Sequence, residues 1–93
     1  MTFIFNVVTK ESTREEFIAS FEMMKTVPGF QGISLYQDQA DKNKFTCVES
    51  WDNKESHAQH VKEVSDEVRD AWLSLLDGMP QGEFYQKVKE INL

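Results

Sequence analysis

The chain carries one cysteine, Cys47, in 93 residues; this excludes an intrachain disulfide and any cysteine-rich zinc site. Basic charge is scarce. Lys and Arg total 10 against 16 Asp and Glu, for a net charge of −6, and the acidic excess is concentrated from Val48 onward, which argues against a nucleic-acid partner. Long apolar runs are missing. Met1 to Thr9 is apolar, but it is too short and too poor in flanking base for a signal peptide, and no stretch reaches the length of a membrane span. The expectation is a soluble, cytoplasmic protein without a membrane partner. There is no Gly-rich phosphate loop, serine elbow or His-Glu-x-x-His, so kinase, Rossmann and common hydrolase chemistries lack their parts. With no internal repeat or low-complexity tract, residues 1–93 read as one domain. A domain this small gains by pairing with a copy of itself.

What the chain does contain is a strong hairpin feeding a helix. Residues 31 to 37 and 44 to 51 are rich in Ile, Leu, Tyr, Phe, Val and Trp, and the polar stretch 38–43 between them is turn-prone, so the pair reads as antiparallel. Trp51-Asp52 then shifts the period from two to 3.6, with Asp52 placed to cap the new helix and Glu55 three residues on. Upstream, Thr2 to Val8 is a strand with apolar residues on both faces, interrupted by Asn6 on the Ile4/Val8 side. Ser12 and Glu15 suggest a capping box for a helix reaching about Lys25, with Phe17, Ile18, Phe21 and Met24 at helical spacing. Beyond Trp51 an apolar stripe from Ala58 to Leu76 predicts one long helix or two with a bend near Val64 to Asp66. Asp77-Gly78-Met79-Pro80 ends it, and Glu83 to Leu93 alternates as a last strand. The order β, α, β, β, α, α, β predicts an α+β, ferredoxin-like split βαβ fold, a four-stranded antiparallel sheet with helices on one face. Bulky residues on both sheet faces leave one uncovered, for which a second subunit is the economical partner.

Several of these features together resemble the antibiotic biosynthesis monooxygenase family of dimeric α/β-barrel proteins. They are the opening strand Phe3 to Val8, Pro28-Gly29-Phe30, Tyr36-Gln37-Asp38, and an acid, an aromatic two later and a histidine nine beyond it, matched by Glu49, Trp51 and His60. The resemblance implies a homodimer whose two sheets pack into a barrel, with a pocket in each subunit between sheet and helices. It marks fold better than substrate, because the family resembled includes quinone-forming monooxygenases without metal or flavin, heme degraders and proteins of unassigned reaction.

Each candidate residue has a plain structural alternative. His60 shares the inward side of its helix with Ala58, Val61 and Val64 and could serve as a base, or be a buried histidine satisfied by Glu49 or a carbonyl. His57 reads as a surface or rim residue, and without a third ligand the two histidines make no metal site. Asn6 matches a substrate-polarising position of the heme degraders, or is an amide tying two strands. Trp51, Trp72 and Tyr36 could wall an aromatic pocket or pack a core. Cys47 reads as an inert hydrophobe. For heme degradation the resemblance places an iron-binding histidine where this chain has Asp70, a poor replacement.

The leading expectation is a monooxygenase that needs no cofactor and oxidises a small electron-rich aromatic, quinol-like or anthrone-like. His60 would be the base, Asn6 the oxyanion donor, and Trp51, Trp72, Tyr36 and Glu49 the substrate-binding residues. The alternative is a non-catalytic dimer binding a small aromatic or apolar molecule; heme degradation is a lesser one.

Overall fold

A computed structural model describes residues 1–93. Four strands, β1 (Thr2–Val8), β2 (Phe30–Gln37), β3 (Lys44–Trp51) and β4 (Gln81–Tyr85), form one sheet in the order β2-β3-β1-β4. All three pairings are antiparallel. The helices are α1 (Arg14–Ala19), α2 (Lys54–Glu63) and α3 (Asp66–Leu73). This is the α+β ferredoxin-like arrangement expected from the order of elements.

Alternation along β1 decides which face is covered. Phe5 and Val7 are buried and Phe3 is half-buried, whereas Asn6 is exposed and Ile4 and Val8 are only partly covered. Successive side chains of a strand point to opposite faces, so Phe3, Phe5 and Val7 look toward the helices and Ile4, Asn6 and Val8 look away. β3 repeats the pattern with Phe45, Cys47, Glu49 and Trp51 buried. The core joins Phe5, Val7, Phe45 and Cys47 of the sheet to Phe17, Leu75 and Leu76, with Phe21 and Trp72 packed against it. Phe17 is fully buried, a burial that stabilises by roughly 1.5–3 kcal/mol.

Four details differ from the sequence-based expectation. The first helix has no capping box: a 3₁₀ turn covers Glu11–Thr13, the α-helix begins at Arg14, and Thr13 makes no capping bond. Thr13 instead spends its hydroxyl on the Leu75 carbonyl at 2.6 Å, tying the helix start to the far end of the chain. From Ser20 to Thr26 the helix tightens to 3₁₀. The cap of α2 is Asn53, whose Oδ1 accepts from the Ser56 N–H at 2.8 Å, in place of Asp52. The last strand starts earlier and ends at Tyr85, and Gln86 to Leu93 runs on without regular structure. The open question over residues 53–77 resolves as two helices. Val64 is extended at φ −68°, ψ 123°, and the Ser65 hydroxyl accepts from Val68 N–H at 3.2 Å to start α3.

Candidate functional site

The most chemically provided part of the molecule lies between α2 and the helix-facing side of the sheet. Cross-strand register places Phe84, Phe3, Glu49 and Ile33 side by side across β4, β1, β3 and β2. Trp51, two residues along β3 from Glu49 and so on the same face, is paired with Phe30 and fully buried. Its indole N–H donates to Glu49 Oε1 at 2.9 Å, and Phe30 stands edge-on to it at 5.3 Å. Gly82 leaves room for this wall, since a Cβ there would come within 2.5 Å of Phe3 Cζ.

α2 lowers two imidazoles onto the wall. His60 lies over Trp51 with ring centroids 5.8 Å apart. His57, three residues earlier and so on the same side of the helix, sits among Phe3 at 4.5 Å, Phe84 at 5.1 Å and Trp51 at 5.3 Å. The sequence reading treated His57 as a rim residue. The available signal was its i, i+3 spacing from His60, which shares a helix face whether or not a metal is involved. Beside His60 a small hollow of about 110 Å³ is bordered by Val27, Pro28, Ser56, Gln59 and Glu63.

Electrostatics favour uncharged forms here. Burial pushes the Glu49 carboxyl above its ordinary range, partly opposed by the indole hydrogen bond. Burial lowers the proton affinity of His57, with His60 adding to the effect, and it lowers that of His60, with Glu63 opposing. Both imidazoles are therefore neutral at pH 7, each with one nitrogen able to accept a proton. The Cys47 thiol is pushed up to about 12 by burial and the nearby Glu49 charge, so it is inert, as expected. No group of three or more His, Cys, Asp or Glu side chains is placed to hold a metal.

The expected site residues divide among three places. His60, Trp51 and Glu49 come together. Trp72 faces the same side of the sheet but belongs to the Phe5, Phe17 and Phe21 cluster, where its N–H donates to Ser20 Oγ at 3.2 Å. Asn6 and Tyr36 are on the opposite face of the sheet, so the expected pairing of His60 as base with Asn6 as oxyanion donor is corrected. The reason is strand alternation: the faces occupied by Phe5 and Leu35 oblige their neighbours Asn6 and Tyr36 to point away. Asn6 Oδ1 accepts from Thr46 Oγ1 at 2.7 Å, which is the strand-tying role weighed as its alternative. Register places Tyr36, Thr46, Asn6 and Gln81 in one polar row across all four strands. They border a shallow hollow of about 480 Å³.

Comparison with known proteins bears on this geometry. The family model for antibiotic biosynthesis monooxygenases matches residues 2–72. The chain belongs to that family. A monooxygenase from the gene ActVA-Orf6 of Streptomyces coelicolor, solved in complex with the ligand nanaomycin D, superposes with a TM-score of 0.79 at 19% identity, covering 99% of this chain and 90% of that one. A conserved protein from Methanosarcina mazei gives 0.72 at 20% identity, covering 92% and 90%. A Nitrosomonas europaea protein carrying the same family description gives 0.72 at 18%, covering 95% and 98%. At these identities the antibiotic biosynthesis monooxygenase relatives share the fold with this chain. No curated protein matches it by sequence, and no helix is long and apolar enough to cross a membrane.

Proposed function

We propose that this family member is a monooxygenase that oxidises a small electron-rich aromatic, quinol-like or anthrone-like, with molecular oxygen and no added cofactor. The observation that carries the reading is a pair of imidazoles on one helix face above a wall of Trp51, Phe3 and Phe84, where burial lowers the proton affinity of both. The aromatic substrate lies against that wall. His60 removes a phenolic or enolic proton, leaving an electron-rich anion that reduces oxygen directly. The Trp51 N–H is committed to Glu49, so the hydrogen bond to the developing oxyanion falls to His57 in place of Asn6. For an anthrone-type substrate the CH₂ carbon becomes a carbonyl, one atom of oxygen ending as the carbonyl oxygen and the other leaving as water with the two hydrogens of that carbon. The likeness to a monooxygenase solved with nanaomycin D supports an aromatic ligand. The functional unit in this reading is a homodimer, a second copy covering the open sheet face.

The alternative of heme degradation finds no support at Asp70, which is exposed and sits 3.5 Å from the Arg69 guanidinium. Oxygen uptake by metal-free protein with an anthrone and a naphthoquinol tests the proposal. Uptake should fall by about 10²-fold or more in His60→Gln, the loss expected for a general base, with the thermal midpoint kept near that of the wild type. Wild-type protein that consumes no oxygen with either compound, yet still binds them, leaves a non-catalytic ligand-binding dimer as the function.

A further inference from the structure

Glu49 is the one acidic side chain that the strands direct toward the helices. Across the strands it lies between Phe3 and Ile33, and along β3 its neighbours on the same face are Cys47 and Trp51, so every side chain beside it in the sheet is apolar. It is 6% exposed. Glutamates are almost never buried this far without a paired charge, and none of the ion pairs of the molecule involves Glu49.

The hydrogen bond to Trp51 accounts for half of the carboxyl. The indole N–H donates to Oε1 at 2.9 Å, and this is the one hydrogen bond that the carboxyl makes in the protein. No enclosed side-chain oxygen or nitrogen lacks a partner, so Oε2, which has none, occupies the small part of the residue that is still open. An indole needs a single acceptor, which a glutamine supplies with no charge to bury. A carboxyl at this position adds a second oxygen that the fold does not use.

That carboxyl lies on the side of the sheet where the imidazoles stand. Directly opposed residues of antiparallel strands hold their Cβ atoms about 4.5–5.5 Å apart, which puts Glu49 beside Phe3, and the Phe3 ring lies 4.5 Å from His57. Trp51, which holds the other oxygen, is 5.3 Å from His57 and 5.8 Å from His60. A ring system resting on Phe3 and Trp51 therefore covers the carboxyl set between them.

We infer that Glu49 is a further ligand-binding residue of this site, its free oxygen Oε2 donating a hydrogen bond to a carbonyl oxygen of the ring system and so selecting ketone- or quinone-bearing aromatics over bare hydrocarbons. This rests on the reading of the helix face as the ligand site. Burial raises the proton affinity of the carboxyl, and with Oε1 engaged as an acceptor the acid hydrogen falls to Oε2. A carboxylic acid kept neutral by apolar surroundings is a strong donor to an oxygen that gains negative charge. In the anthrone-type reaction His60 takes a proton from the CH₂ carbon, and the electron pair of the broken C–H bond passes through the ring to the ketone oxygen. Glu49 and His57 hold that enolate oxygen, and the Glu49 proton stays on Glu49. A group that lowers stability where it stands and is satisfied only by a ligand is the pattern of a functional site.

Calorimetric binding of 9-fluorenone and of fluorene under nitrogen tests this. The two compounds share a ring system and differ by one carbonyl oxygen, and no turnover enters the readout, so the result is separate from that of the uptake assay. Wild type should bind fluorenone at least about tenfold more tightly, the equivalent of one well-made hydrogen bond. Removing the carboxyl frees the Trp51 N–H to act as a donor in its place. Glu49→Leu is therefore made together with Trp51→Phe, and Trp51→Phe alone is the control. The control should keep the preference, and the double variant should lose it while still binding fluorene and unfolding in a cooperative thermal transition. Wild type that binds the two compounds alike overturns the role of Glu49 and leaves the ligand site standing, whereas wild type that binds neither overturns both. A preference already lost in Trp51→Phe assigns the carbonyl to the indole, and one that survives in the double variant assigns it to the histidines; either result overturns the inference.

Discussion

At the residue scale, Glu49 is the side chain under most conflict. It is 6% exposed, stands between Phe3 and Ile33 across the strands, and has one side-chain donor, the Trp51 N–H. A carboxyl whose folded pKa is raised binds its proton more tightly in the native state, so its ionisation removes stability as pH rises through the folded value. Glu49→Gln keeps an oxygen for the indole and has nothing to ionise. Thermal unfolding should therefore show the variant more stable than wild type by a few degrees at pH 7.5, with the gap closing near pH 4.5. A gap of the same size at both pH values contradicts the account. The two histidines act in the opposite sense below about pH 6.5, so the comparison needs the variant beside wild type and not wild type alone. The grouping of Glu49, Trp51 and His60 was legible only through the resemblance to the family's spacing; strand alternation places Glu49 and Trp51 on one face, and α2 brings His60 over Trp51. The displacement of Asn6 and Tyr36 was half legible. Asn6 was already assigned to the Ile4/Val8 side, but which side the helices would cover depends on the packing of Phe17, Leu75 and Leu76, residues far away in sequence.

At the element scale, the hairpin of β2 and β3 was read almost residue for residue, because two dense β-formers flank one polar turn and Asp38 locks that turn by accepting from the N–H groups of Ala40 and Asp41. Helix starts were harder to place. Asp52 and Asn53 are both good capping residues, and only backbone geometry separates them: Asp52 N–H donates to the Gly29 carbonyl at 2.9 Å, so Asp52 belongs to the loop contact and Asn53 falls at the cap. Asn53→Ala should cost about 1 kcal/mol in urea unfolding, the usual loss of a capping side chain, and Asp52→Ala clearly less. Equal losses, or the reverse order, mean that Asp52 also supports the helix through its charge. The last strand was misread for a related reason. Alternation from Glu83 to Leu93 continues past Tyr85, but β1 supplies partners only from Thr2 to Asn6, and the pattern outlasts the edge that could pair with it.

At the scale of the whole molecule, the surface is too large for the mass. A folded monomer of 10.8 kDa exposes about 5,500 Å², whereas this chain exposes 6941 Å² and buries 11 of its 93 residues. Val88, Ile91 and Leu93 stand almost free in solvent, and the face of the sheet away from the helices carries Ile4, Val8 and Val48 only partly covered. The excess of about 1,400 Å² on one copy exceeds the roughly 800 Å² per partner of a standard interface and falls in the range of obligate dimers. On the proposal that the functional unit is a homodimer, a second copy is the occupant expected for this surface, since small symmetric assemblies are most often two-fold. Sedimentation equilibrium should therefore give a dimer at micromolar concentration. Ending the chain at Tyr85 should weaken association by at least about tenfold if the tail contributes even 1.4 kcal/mol to it, with the helical signal in circular dichroism retained. A monomer in the full-length protein refutes the dimer. Unchanged association after truncation shows that the open face alone carries it, and places the polar row of Tyr36, Thr46, Asn6 and Gln81 at the centre of the contact, where each buried polar group must find a partner in the other copy.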